Sequence, residues 1–144
     1  MRSFDHDNDY TLTTDADRIP VDAALALLKT TYWAQELTRQ ALVRAMDHSL
    51  CFGVLKGDDL IGFARVVTDR ATFAYITDVV IASDARGQGL GHWLTGRMLE
   101  HPDLQGLRRI CLVTGDAVDL YADFGFETGA GTLTYMERRG KPDA

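Results

Sequence analysis

The sequence of 144 residues is poor in cysteine, and the few cysteines that it has are not arranged as ligands or pairs. Cys51 and Cys111 lie within apolar runs, and neither belongs to a CxxC motif. We therefore expect two buried small side chains rather than a disulfide or a metal site. The histidines are scattered without ligand spacing, so the sequence predicts no metal centre. They are His6, His48, His92 and His101.

Long apolar runs and an excess of basic residues are also absent. No stretch approaches the roughly 18 apolar residues of a membrane-spanning helix, and the amino-terminal MRSFDHDNDY has no apolar core of a secretion signal. With 15 basic and 21 acidic residues, the formal net charge is −6 at pH 7. Nucleic acids and anionic membranes both favour basic partners. We therefore predict a cytoplasmic protein that binds neither nucleic acid nor membranes.

The remaining composition is that of a globular protein. Hydrophobic residues make up 46% of the chain and charged residues 25%, which argues against global disorder. The length fits a single domain over residues 1–144. The polar ends, 1–9 and 138–144, are expected to be flexible tails.

Apolar periodicity predicts a series of strands interrupted by helices. The predicted strands span 10–14, 49–55, 60–67, 72–81, 109–114 and 132–137. The predicted helices span 21–30 (with Pro20 at the first helical position), 37–48, 89–100 and 117–124. Short links between the central strands favour antiparallel pairs, and the helix at 89–100 makes a parallel crossover. The sequence therefore predicts an α/β (α+β) fold: a mixed, mostly antiparallel central sheet flanked by helices, with one β-α-β crossover unit.

A glycine-rich loop joins the longest predicted strand to the crossover helix, with the sequence ASDARGQGLG at 82–91. Gly87, Gly89 and Gly91 at alternate positions let the backbone approach a bulky ligand closely. The first-turn amides of a helix have no internal acceptors, and the helix dipole adds positive potential. Arg86 adds a permanent cation that can make forked bonds to phosphate oxygens. The loop therefore predicts a phosphate-binding site.

Two other phosphate-binding patterns fit this loop poorly. A Walker loop requires a lysine after its last glycine, and none is present. A dinucleotide fingerprint requires a glycine where His92 stands. A nucleotide-binding module that uses the same glycines remains one alternative.

Two motifs resemble those of the GNAT superfamily of N-acetyltransferases. Arg86-x-x-Gly89-x-Gly91 is similar to the family signature R/Q-x-x-G-x-G/A. Further along, Ala117-Val-Asp-Leu-Tyr121 followed by Phe-Gly-Phe at 124–126 resembles A-x-x-L-Y-x-x-x-G-F. The resemblance implies the GNAT, or acyl-CoA N-acyltransferase, fold. It also implies an acyltransferase that moves an acetyl group from acetyl-CoA to a primary amine by direct attack in a ternary complex, without a metal.

The same resemblance implies how acetyl-CoA binds. The pyrophosphate would lie on the amides of the glycine loop, and the pantetheine arm would run along a bulged strand that splays from its parallel neighbour. The implied cofactor-binding residues are Val79, Ile81, Arg86, Gly87, Gln88, Gly89, Leu90 and Gly91. The Val79 amide would donate to the acetyl carbonyl oxygen and stabilise the negative charge that develops there.

The resemblance also suggests an acid and a base. Tyr121 takes the position of the family's common general acid, since a phenol with a pKa near 10 can protonate a thiolate. The alternative is that Tyr121 only packs on its short helix. Asp78 is the candidate general base, because a carboxylate in an apolar strand can be tuned by burial. The alternatives are a water relay and an Asp78 that hydrogen-bonds a neighbouring element.

The acceptor amine, on a small molecule or a peptide, is expected to bind against the helical first third of the chain. Tyr32 and Trp33 are the candidate substrate-binding residues, as an aromatic wall that can contact a cation; the alternative is that both rings pack on the sheet. Thr114 stands where the family often has asparagine. The contact that the asparagine amide would make with the pantetheine arm is therefore left open in this chain. A catalytically silent acyl-CoA sensor is an alternative function, and the exposed strand predicted at 132–137 suggests a homodimer.

Overall fold

The computed structural model describes residues 4–6, 9–129, 131 and 133–141, and its centre is a six-stranded mixed sheet. The spatial order follows the chain: β1 (Phe4–His6), β2 (Tyr10–Thr13), β3 (Leu50–Lys56), β4 (Asp59–Thr68), β5 (Phe73–Ile81) and β6 (Arg109–Leu112). The first four pairings are antiparallel, whereas β5 and β6 are parallel. The predicted mixed sheet with one crossover is confirmed.

Four α-helices accompany the sheet in the described part of the chain. They are α1 (Val21–Leu28), α2 (Arg39–Asp47), the crossover helix α3 (Leu90–Leu99) and the short α4 (Val118–Ala122). Thr38 caps α2, because its hydroxyl accepts a hydrogen bond from the Ala41 amide at 3.1 Å. Pro20 was predicted at the first helical position but is the N-cap of α1, where its extended ψ of 136° keeps it outside the helix.

Two apolar clusters form the core on opposite faces of the sheet. Alternate strand residues point to opposite faces, and the central strands β3, β4 and β5 contribute to both clusters. One cluster joins α1 and α2 to the sheet through Leu28, Leu42, Phe63 and Val80. The other joins α3 through Phe52, Val66, Ile76, Leu90 and Leu94. Helices α1 and α2 and the glycine loop are thereby attached to opposite faces of β5.

The amino-terminal segment differs from its prediction. Residues 1–9 were predicted as a frayed tail, but Phe4–His6 pairs antiparallel with β2, opposite Leu12, Thr11 and Tyr10. An edge strand can pair through its backbone hydrogen bonds alone. The weak apolar pattern of these residues therefore did not predict a strand. Residues 1–3 and 7–8 of the predicted tail lie outside the described residues.

The carboxy-terminal strand prediction is wrong over the described part of its range. Residues 133–137 form no regular structure, and Leu133, Tyr135 and Met136 are 73%, 70% and 86% exposed. Alternating apolar and polar residues predict which face of a strand is buried. A strand forms, however, only where the edge of another strand is available for pairing. Residue 132 and the tail residues 142–144 lie outside the described residues. Across the described chain, no helix is long and apolar enough to cross a membrane.

Candidate functional site

The two parallel strands lie side by side over only part of their length. Pairing runs from Phe73 opposite Arg109 to Ile76 opposite Leu112, where β6 ends. β5 continues to Ile81, so the carboxyl half of β5 has no neighbour on this side among the described strands. Residues 77–81 therefore have no strand beside them on this side among the described residues, and we call this interval the gap.

A β-bulge at Asp78 changes the course of β5 at the gap. Phe63 is opposite Val80 and Arg65 is opposite Thr77, so β5 has one more residue here than β4. Asp78 has a φ of +55°, a left-handed conformation that is uncommon for any residue but glycine. Bulges re-aim the groups that follow them, and the residue that follows this bulge is Val79.

The Asp78 carboxylate forms an ion pair with a neighbouring strand. Arg65 Nε donates to Asp78 Oδ2 at 2.8 Å, and the two side chains are only 17% and 13% exposed. The hydrogen bond to a neighbouring element that the sequence left open is therefore present. Sequence reasoning missed Arg65, whose one signal is its charge within the apolar strand β4.

The glycine loop forms a turn with an open surface at the start of α3. A 3₁₀ turn at Ser83–Ala85 leads into the loop, and Gly89 is the N-cap of α3. Gly87 and Gly89 have φ of +82° and +77°, and a Cβ on either glycine would meet no atom within 4 Å. Glycine is therefore required at these two positions by the positive φ and not by a steric clash. The open space over them fits the phosphate cradle that the sequence predicts.

The other loop side chains are held away from this surface or point back along β5. Leu90 is buried in the core, so only its backbone can face a ligand. The Gln88 side chain accepts from Tyr10 Oη at 3.1 Å and donates to the Ala85 carbonyl at 3.2 Å. Arg86 is exposed, and its Nε donates to the Ile81 carbonyl at 3.1 Å. Arg86 therefore lies between the end of β5 and the glycines.

Helix α4, which carries Tyr121, lies beside the first turn of α3. A Cβ on Gly91 would lie 3.6 Å from Leu120 Cδ1, and the rings of His92 and Phe124 are 4.5 Å apart. Tyr121 itself is 8% exposed. Burial, and then the charge of Asp116, raise the pKa of the Tyr121 phenol above its ordinary value. The phenol therefore stays protonated at neutral pH, as a proton donor requires.

Thr114 has a local structural role where the family often has asparagine. Its hydroxyl accepts a hydrogen bond from the Ala117 amide at 3.0 Å, three residues along the chain. This bond shapes the turn that leads from β6 into α4. Thr114, which stands in place of the family's asparagine, therefore helps to position the helix that carries Tyr121.

Tyr32 and Trp33 lie on the surface between α1 and α2. The rings meet edge to face at 5.2 Å and are 75% and 51% exposed, so the predicted alternative of packing on the sheet is wrong. A Cβ on Gly115 would lie 2.9 Å from Tyr32 Oη, so this hydroxyl reaches the loop after β6. Sequence reasoning missed this loop, in which Asp116 is also exposed.

Both cysteines are free, and both are half-buried rather than fully buried as predicted. Burial raises the pKa of the Cys51 thiol to about 11, and burial also raises the pKa of Cys111. A reactive thiolate is therefore disfavoured at neutral pH. The described residues contain no group of three or more histidine, cysteine, aspartate or glutamate side chains that could hold a metal ion.

Comparison with known proteins decides the family. The model of the acetyltransferase (GNAT) family matches residues 21–126, which include helices α1 and α2, the glycine loop and α4. The chain belongs to the GNAT acetyltransferase family. A GNAT-family protein from Xanthomonas campestris is 39% identical, with a TM-score of 0.86 over 91% of this chain and 93% of that one.

Two further comparisons are with proteins described as acetyltransferases. A relative from Gibberella zeae named "putative acetyltransferase" is 33% identical over 136 residues, which cover 78% of this chain and 76% of the relative. A predicted acetyltransferase from Clostridium acetobutylicum, whose crystal structure is described with acetyl-CoA, is 16% identical. Its TM-score is 0.64 over 89% of this chain and 95% of that one, so it supports the GNAT fold alone.

Proposed function

We propose that this GNAT protein transfers an acetyl group from acetyl-CoA to a primary amine, by direct attack in a ternary complex in the cytoplasm. One observation carries the proposal: an open glycine turn at the start of α3 lies directly after a strand whose carboxyl half faces a gap. The turn suits a pyrophosphate, and the gap suits an extended arm that pairs with a strand. Acetyl-CoA supplies an acetyl group activated as a thioester.

The residues that we assign to cofactor binding act mainly through their backbones. The amides of Gly87, Gln88, Gly89 and Gly91 bind the pyrophosphate at the positive end of α3. The Arg86 guanidinium adds charge-assisted hydrogen bonds to phosphate oxygens. The chain as a whole is acidic, so this local site must provide the attraction for a polyanion.

Two groups act at the reacting end of the gap. The Val79 N–H donates a hydrogen bond to the acetyl carbonyl oxygen, and Ile81 binds the pantetheine arm further along β5. The Tyr121 phenol donates a proton to the departing sulfur. A phenol with its ordinary pKa near 10 is already protonated in the neutral range, and burial and Asp116 raise the pKa of Tyr121 further.

The proton of the attacking amine has two candidate routes, Asp78 and a water molecule. Arg65 Nε already donates to Asp78 Oδ2, so proton transfer to that oxygen would disrupt a buried ion pair. This contact favours the water route and leaves Asp78 available for another role.

The acceptor amine is proposed to bind beside Tyr32 and Trp33. Two exposed aromatic rings offer a π face, and the hydroxyl of Tyr32 reaches Gly115 in the loop that also carries the Asp116 carboxylate. A cationic amine fits both groups. Either a small molecule or a peptide could provide that amine. A homodimer also remains a prediction, motivated by the exposed side chains of residues 133–137.

Acetyl-CoA is expected to raise the thermal unfolding midpoint by about 5 °C or more at saturating concentration, because it binds the folded state only. ATP and NAD at the same concentration should leave the midpoint unchanged, since the loop lacks both nucleotide fingerprints. Differential scanning fluorimetry measures all three. Stabilisation by ATP or NAD without stabilisation by acetyl-CoA would refute the proposal in favour of a nucleotide-binding module.

An activity measurement on the wild-type protein distinguishes an enzyme from an acyl-CoA sensor. Free-thiol release from acetyl-CoA, measured against a panel of amines and peptides, should show turnover with at least one acceptor. Acetyl-CoA stabilisation without turnover for any acceptor would support the catalytically silent sensor instead.

Gly115→Ala should raise the KM for the acceptor amine by about 3- to 10-fold, or roughly 0.7–1.4 kcal/mol of binding. The added Cβ would lie 2.9 Å from Tyr32 Oη, and this end of a long side chain moves more readily than backbone. The ring is therefore displaced while the fold is kept. Steady-state kinetics should show no change in the KM for acetyl-CoA.

A second variant provides the control for Gly115→Ala. Combining it with Tyr32→Phe removes the oxygen that the new Cβ meets, so the double variant should have the amine KM of Tyr32→Phe alone. An amine KM that stays at the wild-type value in Gly115→Ala would exclude this loop from the acceptor site.

A further inference from the structure

The bulge in β5 is a strained element at the most sensitive position of the candidate site. Asp78 is one of two non-glycine residues with positive φ among the described residues, and it lies in the middle of a strand. Such a conformation persists only when surrounding contacts hold it. The next amide along the chain belongs to Val79, which we assign to the acetyl carbonyl.

One buried ion pair joins this strained residue to the neighbouring strand. Arg65 is opposite Thr77 in the register, so its guanidinium reaches diagonally across the bulge to Asp78. The two side chains are largely buried, and a buried pair is costly to break because it leaves one charge uncompensated. The pair therefore resists any return of β5 to a regular strand.

The same guanidinium is connected to helix α2 through the hydroxyl of Ser49. Arg65 Nη1 donates to Ser49 Oγ at 3.1 Å, and Ser49 Oγ donates to the Ala45 carbonyl in the last turn of α2 at 2.6 Å. The side chain of Cys51, opposite Arg65 on β3, completes this environment as a protonated thiol. A continuous set of hydrogen bonds thus runs from α2 to the bulge.

We propose that Arg65 and Asp78 form a positioning pair that holds the β5 bulge open and sets the direction of the Val79 N–H. The pair acts through Val79, and neither side chain takes a proton from the substrate. This inference rests on the proposed function, because the role of the Val79 amide comes from that proposal. It reassigns Asp78 from base to positioning residue and adds Arg65, which the sequence did not single out.

A double-mutant cycle separates positioning from base catalysis. Arg65→Gln and Asp78→Asn each remove one charge, and asparagine tolerates the left-handed backbone of Asp78. For a positioning pair, each single variant should lower kcat by between about 10- and 100-fold, because small misplacements at a reacting centre have effects of this size. The KM for acetyl-CoA should stay within about 2-fold, and the double variant should be no slower than the slower single variant.

The structure offers a matched control on the same hairpin. Arg70 is the other non-glycine residue with positive φ among the described residues, and it lies in the turn between β4 and β5. Its exposed side chain forms an ion pair with Asp103, at the end of the hairpin opposite the bulge. Asp103→Asn removes an ion pair of the same type without touching the bulge, so kcat should equal that of the wild type. Arg65→Lys keeps the charge next to Asp78 and should recover part of the loss seen in Arg65→Gln.

An NMR measurement makes the test independent of turnover. The Val79 amide resonance in a ¹⁵N-labelled sample should shift in Arg65→Gln and in Asp78→Asn but not in Asp103→Asn. If the wild type acetylates no amine, the proposed function fails, and this resonance alone still decides the positioning role. An unshifted resonance in both bulge variants would overturn it, as would a wild-type kcat in Arg65→Gln combined with a large loss in Asp78→Asn.

Discussion

Tyr121→Phe is expected to lower kcat for acetyl transfer by about 10²- to 10⁴-fold, the usual contribution of a positioned general acid. The ring stays in place, because burial and the edge-to-face contact with Phe126 at 5.9 Å hold it without the hydroxyl. Acetyl-CoA binding should therefore change little. Steady-state kinetics and the thermal shift with acetyl-CoA measure the two effects separately.

Tyr135→Phe is the matched control for this prediction. It deletes the same hydroxyl from a tyrosine that is 70% exposed and donates to Glu137 Oε1 at 2.7 Å. The control should keep the wild-type kcat, since this hydroxyl lies in the exposed segment after α4. Turnover of Tyr121→Phe at the wild-type rate would show that Tyr121 only packs on its helix.

Gly89→Val should weaken acetyl-CoA binding by about 10-fold or more, because a residue other than glycine in the left-handed region costs roughly 1–2 kcal/mol. Gly89 has a φ of +77° at the N-cap of α3. Valine avoids this conformation more strongly than most residues, so the backbone must move and the first-turn amides of α3 move with it. Isothermal titration with acetyl-CoA measures the loss.

Gly106→Val tests whether the effect is specific to the cradle. Gly106 has a φ of +73°, and a Cβ there would also meet no atom within 4 Å, so the strain is similar in kind. It lies between α3 and β6, away from the start of α3. Both variants should lose stability, but only Gly89→Val should lose acetyl-CoA affinity; equal losses of affinity would mean that the glycine loop binds no phosphate.

The parts of the site that could be predicted from sequence are those set by local conformation. The glycine loop is one of these, since Gly87 and Gly89 adopt backbone angles that glycine permits and other residues avoid. The helix that follows is another, because its apolar period is continuous along the chain. Tyr121 was singled out differently, by the resemblance of one short motif to the GNAT pattern.

The parts that could not be predicted depend on contacts between distant segments. The ion pair of Arg65 with Asp78 exists because the register of β4 and β5 shifts by one residue, which neither strand shows on its own. The approach of Tyr32 to Gly115 joins the helical first third to the loop after β6. Both strand errors, at 1–9 and at 132–137, arose because pairing depends on an available edge.

The high thiol pKa values have a practical consequence for measuring this protein. At pH 7 to 8 the Cys51 thiol, with a pKa of about 11, is almost entirely protonated, and burial shifts Cys111 in the same direction. Disulfide and maleimide reagents react with the thiolate, so both side chains should label slowly. Chromogenic detection of released coenzyme A should therefore have a low and constant background from the protein itself, even at high enzyme concentration.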